Sequence, residues 1–356
     1  MSVTAMAGTI GFGPQPAKGT LPTTWYRHRA TLVDLAIIDP TQEGAPEVGG
    51  LPVPSFPYKT GPMVAGGLTI QPRFEDTLGW LLYGLMGQVD SEENPGASGI
   101  YDHIFTMATD NETFVPWMGF RKHIPRKDGL ATTDLGEIYK DCKILGFTLT
   151  LPNEAPLSAR VDVLGREFEL DDDPSAWSWD NTFEHWQSIP VACAVGGFLK
   201  IDGAELPIVA ASVSFQNAPL DPRQEKIYGS PWLEDITVIQ RRMQYEMTVK
   251  WVNPNLYRAV VTGAIDGTTW SAHPKTGTFE VKAVSSVDIE GEDEPYSLTI
   301  AADEVMMNQV GGITLAGNQA VMMRFSGTAL ESDTNYCSFL LRNQAAAYQW
   351  PAGSGS

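Results

Sequence analysis

Residues 243–252 read MQYEMTVKWV. Met243, Tyr245, Met247, Val249 and Trp251 fall on one side of an extended chain, with Gln244, Glu246, Thr248 and Lys250 on the other. Successive side chains of a strand point to opposite faces, so this stretch specifies a long strand with one dry and one wet face. The pattern recurs in Leu157, Ala159, Val161 and Val163, which are interleaved with Arg160 and Asp162. It returns over 209–215, 279–287, 296–300 and 321–325. Sheets with one solvated face are usually antiparallel. Many short strands at such spacing point to sandwiches or barrels.

Two segments break this period. Residues 75–86 (EDTLGWLLYGLM) place Leu78, Leu81, Leu82 and Leu85 at helical spacing, and Gly87 can close the helix. In 253–263 (NPNLYRAVVTG), Asn253 can cap, Pro254 suits the first helical position and Gly263 can terminate. Each helix follows an alternating strand, 67–74 or 243–252, and precedes a loop and a further strand, 101–108 or 278–284. Each half then closes with a hairpin ending in a Gly-containing strand, 147–165 or 312–327. The shared order predicts a mainly β chain of two tandem β-sandwich or barrel domains, each with a short flanking helix. The expected divisions are 1–63, an N-terminal strand and long loop belonging to the first domain; 64–170, the first domain; 171–196, an aromatic linker; 197–345, the second domain; and 346–356, a flexible tail. Residues 39–62 are too rich in Pro and Gly for a core strand and read as a long functional or mobile loop. Residues 88–99 read as a polar flexible loop, and the terminal PAGSGS as unstructured linker.

The chain has 356 residues, 24 Lys and Arg against 43 Asp and Glu, and a net charge of −19. The excess is even, with 13 basic and 23 acidic groups up to residue 173 and 11 and 20 after it. Phosphate capture needs a basic footprint, so specific nucleic-acid binding is not expected. Apolar runs stay short of the ~18 residues of a membrane-spanning helix. The first fifteen residues lack the basic start and apolar stretch of a signal peptide. Cys142, Cys193 and Cys337 are odd in number and widely spaced, which reads as reduced thiols.

The search for chemistry yields no constellation. His28, His103, His123, His185 and His273 are isolated, and none sits near a Cys at a zinc-like spacing. The glycines of 8–13 (GTIGFG) lack the strand–turn–helix context of a phosphate loop. Neither carboxylate cluster, 171–173 or 290–294, has the alternating pattern of a calcium loop, and 290–294 reads as a hairpin turn. No catalytic residue, metal ligand or cofactor is expected, and the chain reads as a non-enzyme. Trp177, Trp179, Phe183 and Trp186 in the linker are the expected exposed aromatics, suited to an interface or to a sugar platform.

The duplicated strand–helix–strand plan, the acidic character and the lack of catalytic motifs resemble a phage tail tube protein. The resemblance is carried by 66–87 and 138–168, with IYKDCKILGFTLTL at 138–151, and by the matching 243–263 and 311–330. It covers residues 64–170 and 197–345 and rests on architecture more than on motifs. It implies stacked rings around a channel through which the genome leaves the capsid. Chains with two tube domains, of the long-tailed siphophage type, would form homotrimeric, pseudo-hexameric rings. Implied partners are further copies of the chain and the tape-measure, tail-tip and tail-terminator proteins. DNA would be met only in transit, and membrane not at all. The implied location is the virion tail, after synthesis in the host cytoplasm. Under this reading Arg160, Asp162, Glu246, Thr248 and Lys250 are candidates for the channel wall. Part of the −19 charge facing inward would repel DNA from that wall. Phe56 and Tyr58 in the long loop and Trp177 and Trp179 in the linker are candidates for contacts between chains. The alternative is a carbohydrate-binding or adhesin-like β-sandwich of a virion or cell surface, with Trp177, Trp179 and Trp186 as its platform.

Overall fold

In the computed structural model, the alternating segments pair into one large antiparallel sheet, with a separate two-stranded ribbon. The structure describes residues 8–109, 115–125, 134–181, 184–191, 195–311, 313, 320–332 and 336–351. Within them the strands are β1 (Thr9–Pro14), β2 (Tyr26–His28), β3 (Ala30–Val33), β4 (Ala36–Ile38), β5 (Thr41–Glu43), β6 (Pro57–Lys59), β7 (Met63–Ile70), β8 (Gly87–Glu93), β9 (Tyr101–Met107) and β10 (Met118–Ile124). They continue as β11 (Leu135–Leu151), β12 (Ser158–Asp171), β13 (Phe198–Ile201), β14 (Ala204–Glu205), β15 (Ile208–Pro219), β16 (Val238–Lys250), β17 (Lys275–Asp288), β18 (Pro295–Gln309), β19 (Met322–Ala329) and β20 (Ser338–Asn343). The helices are α1 (Thr77–Met86) and α2 (Asn255–Thr262).

The spine of the sheet runs β7–β12–β11–β15–β16–β19–β18, every neighbour antiparallel. One register row on its dry face reads Ile70, Ala159, Leu149, Val213, Tyr245 and Gly327. All six are buried. Gly327 is required there, because the Tyr245 ring crosses it and a β-carbon would lie 2.3 Å from that ring. Tyr245 in turn stacks on Phe279, centroids 4.6 Å apart.

The core under this face is continuous through both halves of the chain. Phe339 meets Phe147 and Phe215 edge-on, at 5.9 and 6.1 Å between centroids. The strand pairing also passes the expected linker, since β11 pairs β15 and β9 pairs β20.

Both helices form where expected. Each ends on a left-handed glycine, Gly87 at φ 89° and Gly263 at φ 79°, the conformation that glycine adopts without steric cost. Pro254 rather than Asn253 occupies the cap position of α2, and the Asn253 side chain accepts the Asn255 N–H at 3.0 Å.

Two local expectations are corrected. Residues 87–93 are not loop but strand β8, because β9 offers a full register of backbone partners from Gly87↔Met107 to Glu93↔Tyr101. Residues 39–62 contain the hairpin β5–β6 rather than plain loop. Gly11 and Gly13 lie in strand β1, paired with β10. The turn expected at 290–294 does join β17 to β18, with the Ile289 N–H donating to the Glu294 carbonyl at 2.7 Å. Most of the strand expected from residue 312, together with Phe183, Cys193 and all but Pro351 of the terminal PAGSGS, lies outside the described residues.

Candidate functional site

The wet face of the spine assembles residues that are distant in sequence into two adjacent rows. One row reads Thr69, Arg160, Thr148, Ser214, Gln244 and Thr328. The next reads Ser158, Thr150, Ser212, Glu246, Ser326 and Asn308. Thr248, opposite Arg324, and Lys250, opposite Met322, extend the same face. All five residues singled out for a channel wall therefore share one surface.

Its charges are of both signs. The Arg160 guanidinium donates to both carboxylate oxygens of Asp34, at 2.8 and 2.9 Å, and to Asp162 at 2.9 Å. Arg324 lies 4.0 Å from Glu246. Arg242, opposite Gln216, donates to the Thr328 hydroxyl at 3.2 Å. On this face Arg160, Arg242, Lys250 and Arg324 stand against Asp34, Asp162 and Glu246, so the chain's acidic excess is not concentrated here. The surface is a field of hydroxyls and mixed charges, in which Arg160 and Arg324 meet carboxylates, Arg242 meets a hydroxyl and Lys250 is exposed.

Of the four contact candidates, two project and two do not. Phe56 and Tyr58 are 54% and 45% exposed and touch chiefly each other, with centroids 5.9 Å apart. Trp177 and Trp179 are half-buried against Arg121, whose guanidinium sits 5.0 and 4.0 Å from their ring centres and 4.5 Å from that of Trp25. Trp179 also covers Gly11, where a β-carbon would meet its ring at 2.0 Å. The linker is fixed along β2, with Trp25 N–H donating to Asp180 at 2.6 Å and Arg27 N–H to Asn181 at 2.8 Å. Trp186 alone of the three linker tryptophans is largely exposed, at 69%. The two others are engaged elsewhere, so no shared aromatic platform forms.

Sequence reasoning missed the clamp on α1. Its N-terminus is held by Glu184, which accepts the N–H groups of Asp76 and Thr77 at 3.1 and 2.6 Å and the Thr77 hydroxyl at 2.8 Å. His28 touches that same hydroxyl at 2.6 Å and lies 3.5 Å from Glu184. Burial would raise the Glu184 carboxyl, yet His28 and Thr77 together hold it below its ordinary value. At the other end, Arg241 donates to the carbonyls of Leu85 and Met86 at 2.9 and 3.0 Å, and Asn217 donates to Leu85 at 3.0 Å. An acid at the helix N-terminus and a guanidinium at its C-terminus both complement the helix dipole. Burial lowers the Arg241 pKa to about 10.

Among the described residues no cluster of three or more His, Cys, Asp or Glu is placed to hold a metal. Cys142 and Cys337 are buried free thiols, and burial pushes both upward in pKa. No described helix is long and apolar enough to cross a membrane. The chain matches no protein-family model, and no curated protein matches it.

Proposed function

We propose that this chain is a structural subunit of a phage tail tube, made of two copies of one strand–helix–sheet unit. In this reading β7, α1, β11 and β12 of the first copy correspond to β16, α2, β18 and β19 of the second. The pairing β7–β12–β11 parallels β16–β19–β18. Helix α1 packs on β11 and α2 on β18. The strands β3 and β4 beside β7 then correspond to β15 beside β16.

The observation that carries the reading is the unbroken sheet with one polar face. A sheet passing from one unit to the next within the chain supplies the pattern by which it could continue from chain to chain. Closure into a ring would remove its open edges. The polar face would then line a channel. Hydroxyls and charges of both signs, interspersed, present no continuous basic stripe to phosphates, so DNA in transit would be held weakly. Rings stacked head to tail make a contact that does not close on itself and so extends as a filament.

Negative-stain microscopy of the concentrated protein tests this. Hollow tubes with a regular axial repeat support it. Monomers or compact closed oligomers at every concentration overturn it.

A further inference from the structure

The chain does not turn directly from β15 into β16. Residues 220–237 fold over one end of the polar face, where Leu233 and Ile236 are buried with Leu164 of β12 and packed by Met63, Ala65, Trp117 and Leu145. This excursion is paired on itself. Lys226 and Leu233 form an isolated antiparallel bridge, and the Glu234 N–H donates to the Glu225 carbonyl at 2.7 Å. Arg166 of β12 donates to the Leu233 carbonyl at 2.6 Å.

Lys143 of β11, opposite Leu164 in the sheet, lies under the excursion with its side chain only 13% exposed. Its amine sits 4.2 Å from the centre of the Trp117 ring and donates to the Ile236 carbonyl at 2.8 Å. An Asp235 carboxylate oxygen is 3.7 Å away. The Glu225 carboxylate accepts the Thr237 N–H at 3.3 Å, two residues beyond Asp235, and its charge reaches the Lys143 amine. Burial lowers the Lys143 pKa against the opposing pull of Asp235 and then Glu225. An amine of reduced basicity, a carboxyl beside it and a second carboxylate to move a proton are the parts that amide formation between side chains uses.

We propose that Lys143 and Asp235 condense into an isopeptide bond that fastens the 220–237 excursion to β11. Within the pair a proton passes from the ammonium to the carboxylate, which leaves a neutral amine and a carboxylic acid. The amine nitrogen attacks Asp235 Cγ. Glu225 takes a proton from that nitrogen and returns it to the departing hydroxyl. One C–N bond forms, one C–O bond breaks and one water leaves, with no oxidant or reductant consumed. Condensation of a free amine and a free acid is uphill in water, but well-oriented groups on one chain reach effective concentrations of about 10⁵ M or more. The bond needs no second chain, so it stands apart from the tube reading.

Mass spectrometry of the purified full-length protein tests it. The intact mass should lie one water below that of the sequence, once N-terminal processing is allowed for. Digestion should yield a branched peptide joining Lys143 to Asp235. Lys143→Arg keeps the cation but cannot form the amide; it and Asp235→Ala should each show the full mass of their own sequences. Glu225→Gln should keep the wild-type circular dichroism spectrum and leave most chains unlinked. Folded wild-type protein at full sequence mass, with separate peptides for the two residues, overturns the bond. A lost water that persists in Lys143→Arg also overturns it, since the Asp202–Gly203 step can lose water as a succinimide. A branched peptide that forms equally well in Glu225→Gln supports the bond and overturns the proton-carrying role of Glu225.

Discussion

Glu184 shows how a single side chain ties the linker to the first helix. It satisfies two backbone donors that α1 would otherwise leave unpaired, and it does so from 107 residues away. Charge-assisted hydrogen bonds of this kind contribute roughly 1.5–3 kcal/mol each way of counting, and caps about 1. Glu184→Ala should therefore lower stability by ~2 kcal/mol near neutral pH, read as a fall in urea midpoint. Because the Glu184 pKa is depressed in the folded state, its contribution is present above the unfolded carboxylate pKa and fades as pH falls, so the cost of the substitution should shrink in acid. Asp76 behaves oppositely. Burial, followed by the charges of Glu184 and Glu75, raises it from 3.8 to about 6. Its side chain makes no capping bond. A carboxyl raised in the folded state costs stability as pH climbs from about 4 to about 6, and the cost stays in full above that. Asp76→Asn should thus stabilise the protein at pH 7–8, by on the order of 2 kcal/mol, and change little at pH 4. Melting curves across that range check it; an equal gain at both ends would contradict it. Trp179 and Phe56 separate in the same assay. Trp179→Ala removes the cover from Gly11 and one wall of the Arg121 site, so it should lower the monomer's melting point by the equivalent of ~3 kcal/mol. Phe56→Ala should leave that melting point unchanged.

At the scale of elements, the two helices have different supports and should differ in stability. All but one residue of α1 are buried, and both its ends are clamped. In α2 only Ala259 is buried. Local opening follows such differences in buried contact. Amide exchange in the unassembled protein should be slow in α1 and fast in α2, and comparable protection would contradict this. What the sequence made legible at this scale was set by local pattern. The alternation in 243–252 identified β16 and divided its faces correctly, because a half-buried antiparallel strand must alternate. The leucines of 75–86 and the glycines after both helices placed α1 and α2. Strand β8 was missed because GQVDSEE has no apolar alternation; its order comes from β9 and not from its own residues. The α1 clamp was invisible for a related reason. Neither Glu184 nor Arg241 has any feature in its own neighbourhood that marks it, since the chain brings them to the helix only through the tertiary fold. Trp177 and Trp179 read as exposed from sequence because their partner, Arg121, lies more than fifty residues upstream in β10.

For the whole molecule, the sheet's continuity matters more than the identity of any one strand. The spine carries mainly hydroxyl and charged groups on one side, with a small apolar cluster of Leu164, Leu233 and Ile236 at one end, while the main core fills the other side. An antiparallel sheet can leave one face to water in a monomer, and in the proposed ring that face would become the inside. Charge balance on this face also changes the physical picture of passage. The surplus acid of the chain is not concentrated there, so in the proposed tube easy sliding would follow from cations interspersed with carboxylates and hydroxyls rather than from strong repulsion. Electron cryomicroscopy of assembled wild-type protein, carried to a resolution that traces strands, addresses this point. The expected map is a hollow tube in which Arg160, Ser214, Glu246 and Thr248 face the channel and the sheet runs on from chain to chain. A filament with that face on its outside, or particles without a channel, would contradict it.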